Sequence, residues 1–218
     1  MCIRDRYITA DLSREDEINA LWSQVGILDI LVNNAGIWPT AYVADMTSGS
    51  FRKTLDINLI APFLLTRNFV NQCLSNSKKG KIVNMVSQAA FHGSTSGHAH
   101  YAASKAGLVA FTVSLAREVA PNGINVNAVA PGMMRTPMNK EALEDREDEY
   151  LKRIPLRRVA DPSEVAAAVV YPVSYTHLPA VRRRPHRLGF HPWHFAPEFS
   201  ENPCPFSSSA LLFVMFPY

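Results

Sequence analysis

Leu28-Asp29-Ile30-Leu31-Val32-Asn33-Asn34-Ala35-Gly36 (LDILVNNAG, residues 28–36) is the stretch on which the fold turns. Residues 28–33 are mostly apolar and do not alternate with polar residues, which is the pattern of a short strand covered on both faces. The Asn-Asn-Ala-Gly that follows reads as a turn, with Gly36 able to adopt backbone conformations that other residues resist. The same arrangement recurs downstream at Lys81 to Val86 (KIVNMV) and Ile124 to Val129 (INVNAV). Helical segments lie between. Thr47 starts a helix, a longer one runs from about Thr54 to Leu74, and another from His100 to Val119 ends at Pro121-Asn122-Gly123. Asp161-Pro162-Ser163-Glu164 is a strong helix start, with an N-cap, a proline at the first turn and a glutamate three residues on. Upstream, Tyr7 to Ala10 reads as a strand remnant. Ser13 is expected to cap a helix through about Gln24, whose first turn holds Glu15, Asp16 and Glu17, where the helix dipole favours acids. Strands alternating with helices predict a mostly parallel sheet with helices on both faces. In such sheets the ligand lies beyond the carboxyl ends of the strands.

The 218 residues suffice for one domain, and 47% hydrophobic with 19% charged residues suits a globular chain. A net charge of +3 gives no electrostatic case for nucleic acid or a membrane surface. Cys2, Cys73 and Cys204 show neither disulfide nor metal spacing, so no metal site is expected. No apolar run reaches the roughly 20 residues of a membrane span. With no secretory signal at the N-terminus, the expected location is the cytoplasm.

Composition shifts near Tyr171. Beyond it lie eight of the fifteen prolines, four of the seven histidines, Arg182-Arg183-Arg184 and no lysine. The shift coincides with an oddity. Met1 to Arg6 (MCIRDR) has the legal coding ATG TGT ATA AGA GAC AGG, whose reverse complement translates as Pro-Val-Ser-Tyr-Thr-His, the sequence of Pro172 to His177. This resembles a transposon end used in sequencing libraries and read through as protein. The expectation is therefore a native unit over residues 7–171, with residues 1–6 and about 172–218 a non-native flank and a poorly ordered tail.

Chemistry-bearing residues follow the strands. Ser87 follows the second of the three, and Pro131-Gly132 the third. Tyr101 and Lys105 are four apart near the start of a helix, so both project from one face. A phenol, with an ordinary pKa of about 10, is a poor acid or base near neutrality. A nearby ammonium would stabilise its phenolate, and a serine hydroxyl would hold the same substrate oxygen. Each feature alone is ordinary: a surface pair, a cap, a turn. Their order within one α/β pattern is not.

With "LDILVNNAG", "DINLIAPF", "KIVNMVS", "YAASKAG", "INVNAVAPGMMRTPM" and "RVADPSEVA" in sequence, the chain from about Ile8 to Val170 resembles the short-chain dehydrogenase/reductase family. The resemblance implies a Rossmann-like, doubly wound α/β sheet, incomplete here because the family's first two strands and last strand have no counterpart. It implies NAD or NADP as cofactor, the choice not being readable. It also implies hydride transfer between an alcohol and a carbonyl on a small-molecule substrate, 3-oxoacyl-thioester-like or sugar/polyol-like. Carried over by motif, Tyr101 is the acid/base, and Lys105 lowers its pKa and binds the nicotinamide ribose. Ser87 orients the substrate oxygen, and Asn58 holds a helix irregularity and a proton-relay water. Asp11 and Leu12 match the adenine pocket, while Asn34, Ala35 and Gly36 line the cofactor cleft. Pro131, Gly132, Met134 and Thr136 close over the nicotinamide and its phosphate. Met138 to Pro155 corresponds to a substrate lid, and Trp38, His92, Met133 and Met138 are candidate pocket residues. The helices bearing Asn58 and Tyr101 form a dimer interface in the family, often doubled into a tetramer. No glycine-spaced phosphate loop precedes Asn33. This supports an alternative reading: a non-catalytic chain that at most dimerises, and whose first full strand keeps an unpaired edge.

Overall fold

The computed structural model describes residues 6–174 and 211–214. The expected non-native flank and tail thus fall largely outside the described residues. The elements are α1 (Glu15–Gln24), β1 (Ile30–Asn33), α2 (Ser48–Leu55), a π-turn (Asp56–Ile60), α3 (Ala61–Ser75), β2 (Gly80–Met85), α4 (Ala89–His92), α5 (Ala99–Val119), β3 (Ile124–Val129), α6 (Lys140–Arg153), α7 (Pro162–Ser174) and β4 (Leu211–Val214). The sheet is wholly parallel, in the order β3-β2-β1-β4.

The strands separate two apolar clusters. Leu31 and Ile82 face one side and pack with Ile18, Leu65, Phe69 and Leu115 from α1, α3 and α5. Ile30, Val32, Val83 and Met85 face the other side and meet Val169 of α7. Each fully buried Leu, Ile or Phe contributes roughly 1.5–3 kcal/mol, so these two layers dominate the fold's stability. Gly80 permits the close seating of α3 on β2: a Cβ there would come within 2.7 Å of the Phe69 ring and 2.8 Å of Cys73 Sγ.

Helix boundaries follow side-chain chemistry. Thr47 caps α2 by accepting from the Ser50 N–H at 3.1 Å. Asp161 accepts from the Ser163 N–H while Glu164 accepts from the Asp161 N–H, a reciprocal cap for α7. Gly123, at φ 72°, turns the chain from the end of α5 into β3.

Three expectations need correction. Ser13 does not cap α1; its hydroxyl and N–H are both committed to the Asp11 carboxylate, and Arg14 occupies the N-cap without a side-chain bond. Tyr7 to Ala10 is not a strand: with no neighbour to ladder with, it stays irregular, and Ile8 and Ala10 pack on the core. The outer edge of β1 is not unpaired, because Leu211–Val214 runs parallel to it with Ile30 opposite Leu211. Among the described residues no helix is long and apolar enough to cross a membrane.

Candidate active site

The carboxyl ends of β1, β2 and β3 and the first turns of α5 converge on one region. Its foundation is the π-turn. The Ala61 N–H reaches back to Asp56 O, five residues away, which inserts an extra residue into the α2–α3 helix. The fully buried Asn58 sits in that turn. Its Oδ1 accepts from the Ile37 N–H at 2.8 Å, and its Nδ2 donates to Ile37 O at 2.9 Å and to Ser104 Oγ at 3.1 Å. Ser104 Oγ donates to Tyr101 O at 2.7 Å. One amide thereby ties the loop after β1 to the helix carrying Tyr101, so the helix irregularity expected at Asn58 is present.

Lys105 lies one turn beyond Tyr101. Its Nζ is 5.9 Å from the Tyr101 ring centroid and donates to Met85 O, at the end of β2, at 2.8 Å. Burial brings its ammonium down to about 8 from 10.5. The half-buried Tyr101 phenol is pushed above its ordinary value by burial, opposed by a hydrogen bond with the Ser87 side chain. The Ser87 side chain thus acts on the phenol in the lowering direction, while Lys105 lies over the ring and donates to Met85 O.

The Gly36 backbone passes close above this pair. A Cβ there would lie 3.2 Å from Asn58 Oδ1 and 3.5 Å from Lys105 Nζ. Only glycine leaves that approach open, so a ribose diol can reach the lysine. The nicotinamide end of the expected cofactor therefore fits the residues present. Asn34 is exposed and Ala35 buried beside it. Asp11 is exposed, its carboxyl held below the ordinary range by Ser13. The Leu12 side chain is buried in the core.

Pro131 O accepts from the Gln88 N–H at 3.2 Å, and Gly132 abuts the Gln88 side chain, so this turn adjoins Ser87. Met134 forms a parallel bridge with Ala160. Thr136 is engaged with Asn139, donating both its N–H and its hydroxyl to Asn139 Oδ1. A cleft of about 390 Å³ is lined by Gly36, Ile37, Trp38, Pro39, Ser50, Lys53, Thr54 and Met138. Of the four candidate pocket residues it takes Trp38 and Met138, and not His92 or Met133. Sequence reasoning missed Ser104, His98 and Lys53. Ser104 alone carried a signal, as a hydroxyl three residues from Tyr101 on the same helix.

Comparison with known proteins agrees with this geometry. The family described as enoyl-(acyl carrier protein) reductase matches residues 3–176. A 3-oxoacyl-(acyl-carrier-protein) reductase of Rickettsia typhi is 39% identical over 171 residues, covering 78% of this chain and 70% of the relative. An acetoacetyl-CoA reductase of Acinetobacter sp. is 40% identical over 173 residues, covering 78% and 69%. A structure from Beutenbergia cavernae with bound NADP, described as an NAD(P)-dependent gluconate 5-dehydrogenase, superposes with a TM-score of 0.71 at 34% identity over 76% of this chain and 68% of that one. Motif order, parallel topology and these likenesses agree, and the chain belongs to the short-chain dehydrogenase/reductase family.

Proposed function

We propose that residues 7–171 form the catalytic unit of an NAD(P)-dependent carbonyl reductase. In the reducing direction Tyr101 gives its phenolic proton to the substrate oxygen as the carbonyl carbon accepts hydride, so a C=O becomes CH–OH and the tyrosine is left as phenolate. The nicotinamide, when bound, supplies the hydride. Ser87 donates to the same oxygen and holds it beside the phenol. Lys105 binds the ribose hydroxyls and carries positive charge beneath the ring, which favours the phenolate once it forms. Asn58 fixes the loop that covers Lys105 and holds the water that returns a proton to it. Thr136 and its neighbours from Pro131 onward close over the cofactor.

The observation that carries this reading is the buried Lys105 one turn from Tyr101, its Nζ 5.9 Å from the Tyr101 ring and donating to Met85 O at the end of β2. The cleft favours a 3-oxoacyl thioester over a sugar or polyol. Ile37, Trp38, Pro39 and Met138 form an apolar wall, and the Thr54 hydroxyl is spent on Ser50 O. The likeness to 3-oxoacyl-(acyl-carrier-protein) and acetoacetyl-CoA reductases supports the same class. A homodimer or homotetramer is supported by the apolar stripe that α5 exposes at Ala103, Ala106, Ala110 and Val113, and by Ile60 and Phe63 at the start of α3. The buried free thiol of Cys73 suits the reducing cytoplasm.

One observation favours a non-catalytic reading: Gly26 is the one glycine among the residues before Gly36, and these residues hold no glycine-spaced phosphate loop. NADH and NADPH oxidation across a panel of 3-oxoacyl thioesters and sugar ketones tests both readings. It is run on this chain and on a chimera in which the glycine-loop unit of the Rickettsia typhi relative precedes residue 7. Turnover by the chimera alone identifies the loop as the missing part. Unchanged turnover after Tyr101→Phe in the chimera sinks the catalytic assignment.

A further inference from the structure

The loop after β1 is clipped to the turn that precedes α5. The Ala41 N–H donates to Gly97 O at 2.8 Å, and Gly97, at φ 83°, sits so close that a Cβ would meet Thr40 Cγ2 at 2.9 Å. His98, 3% exposed, lies with Nδ1 3.0 Å from Pro39 O. A carbonyl only accepts, so this nitrogen carries the proton and the tautomer is fixed. The His98 ring stacks on Trp38, centroids 4.0 Å apart and planes at 17°. Trp38 in turn meets the Tyr101 ring edge to face, at 6.4 Å and 73°. Aromatic pairs in these geometries attract beyond what their buried area supplies, which favours one indole rotamer. Burial lowers the His98 pKa, the Pro39 carbonyl opposes that shift, and His100 and Arg146, which also face the ring, act in the same direction as burial.

Trp38 therefore belongs to two places at once. It touches the ring that bears the acid/base hydroxyl, and it lines the cleft with Ile37, Pro39 and Met138. We propose that Trp38 determines which carbonyl substituents fit beside Tyr101, and that His98 is the positioning residue holding the indole in that place. This rests on Tyr101 as the acid/base. It goes further by naming a wall selective for flat or extended apolar acyl groups.

The test is fluorine NMR of the chain labelled with 5-fluorotryptophan, whose three tryptophans are Trp22, Trp38 and Trp193. Trp38→Phe identifies the Trp38 line, and Trp22, in the core against α3, serves as the internal control. His98→Asn keeps a donor for Pro39 O but removes the stacked ring; His98→Phe keeps the ring and removes the donor. His98→Asn is expected to shift and broaden the Trp38 line while leaving Trp22 in place, and His98→Phe to restore it. Titration with 3-hydroxyacyl-N-acetylcysteamine thioesters of rising chain length is expected to move the Trp38 line, with dissociation constants about tenfold weaker in His98→Asn. The proposal is overturned if His98→Asn leaves the Trp38 line unmoved, if His98→Phe disturbs it as much, or if the thioesters do not perturb it. Failure of the acid/base reading would appear separately, in the Tyr101→Phe assay.

Discussion

The ammonium of Lys105 is buried one helical turn from Tyr101, and its one hydrogen-bond acceptor among the described residues is the Met85 carbonyl, 2.8 Å away. A cation held by a single neutral acceptor in an apolar setting costs stability, and its pKa falls to about 8 from 10.5. Below pH 8 both folded and unfolded chains hold the proton, and the full cost is present. As pH rises from about 8 towards 10.5 the unfolded chain holds more protons than the folded one, so stability increases, by roughly 3 kcal/mol at most. Lys105→Met removes this dependence. Urea unfolding is expected to show the variant more stable by about 1–3 kcal/mol at pH 7, with the gap closing by pH 10.5. Taking the difference between the two chains cancels the opposing titration of Tyr101. A variant less stable at neutral pH would contradict the buried charge.

Ser87 should be visible in the pH profile of alcohol oxidation, where the phenolate of Tyr101 is the base. Its contact is what draws the Tyr101 pKa down against burial. In the glycine-loop chimera, Ser87→Ala is expected to move the rising, acid-side limb of kcat to higher pH and to lower kcat about 10²–10³-fold. An unchanged limb would mean that Ser87 acts on substrate alone.

Asn58 uses both ends of its amide, so its two simplest variants should differ. Asn58→Ala loses three hydrogen bonds and frees the loop at Ile37, at a cost of about 2–4 kcal/mol. Asn58→Asp keeps an acceptor for the Ile37 N–H but sets a carboxylate against Ile37 O. It is expected to be at least as destabilising at pH 7 and to recover on acidification. Hydrogen exchange at the Ile37 amide should accelerate in both.

The strands and the Tyr101–Lys105 spacing were legible because each rests on a short local pattern. Ile124–Val129 (INVNAV) is a strand-length segment rich in apolar residues with a glycine turn before it, and four residues make one helical turn. The irregularity at Asn58 was legible only through the family motif, since Thr54 to Leu74 has an uninterrupted helical period. The extra residue there is held by Asn58 bonding to Ile37, 21 residues away in sequence. The Lys105–Met85 bond and the Trp38–His98 stack were hidden for the same reason, as each joins segments 20 or more residues apart. The pairing of β1 with Leu211–Val214 reverses an expectation, because the tail's short apolar run carried no period from which a partner could be read.

A polar ladder crosses the sheet and is open to a double-mutant test. Asn33 Nδ2 donates to Thr66 Oγ1 at 3.1 Å and to Asn84 Oδ1 at 2.8 Å, and Asn84 Nδ2 donates to Thr112 Oγ1 at 2.8 Å. Asn33→Leu and Asn84→Leu should each cost about 1–3 kcal/mol by orphaning the other amide. The double variant should cost less than the sum, because two leucines satisfy each other. Additive losses would show that the two amides are not coupled.

Cofactor affinity should be unevenly distributed along the dinucleotide. In the proposed reading the ribose beside the nicotinamide would meet Lys105 and the open approach at Gly36. Within the 218 residues no glycine-spaced helix start, which supplies backbone N–H groups and a favourable dipole to a pyrophosphate, precedes Asn33. Calorimetry on the 218-residue chain is therefore expected to find NADPH binding within about tenfold of reduced nicotinamide mononucleotide, a gap of no more than about 1.4 kcal/mol. Lys105→Met should weaken both alike. Adding the glycine-loop unit in the chimera should strengthen NADPH alone, by 100-fold or more. Micromolar NADPH binding by the chain without that unit would mean that other residues hold the adenosine half.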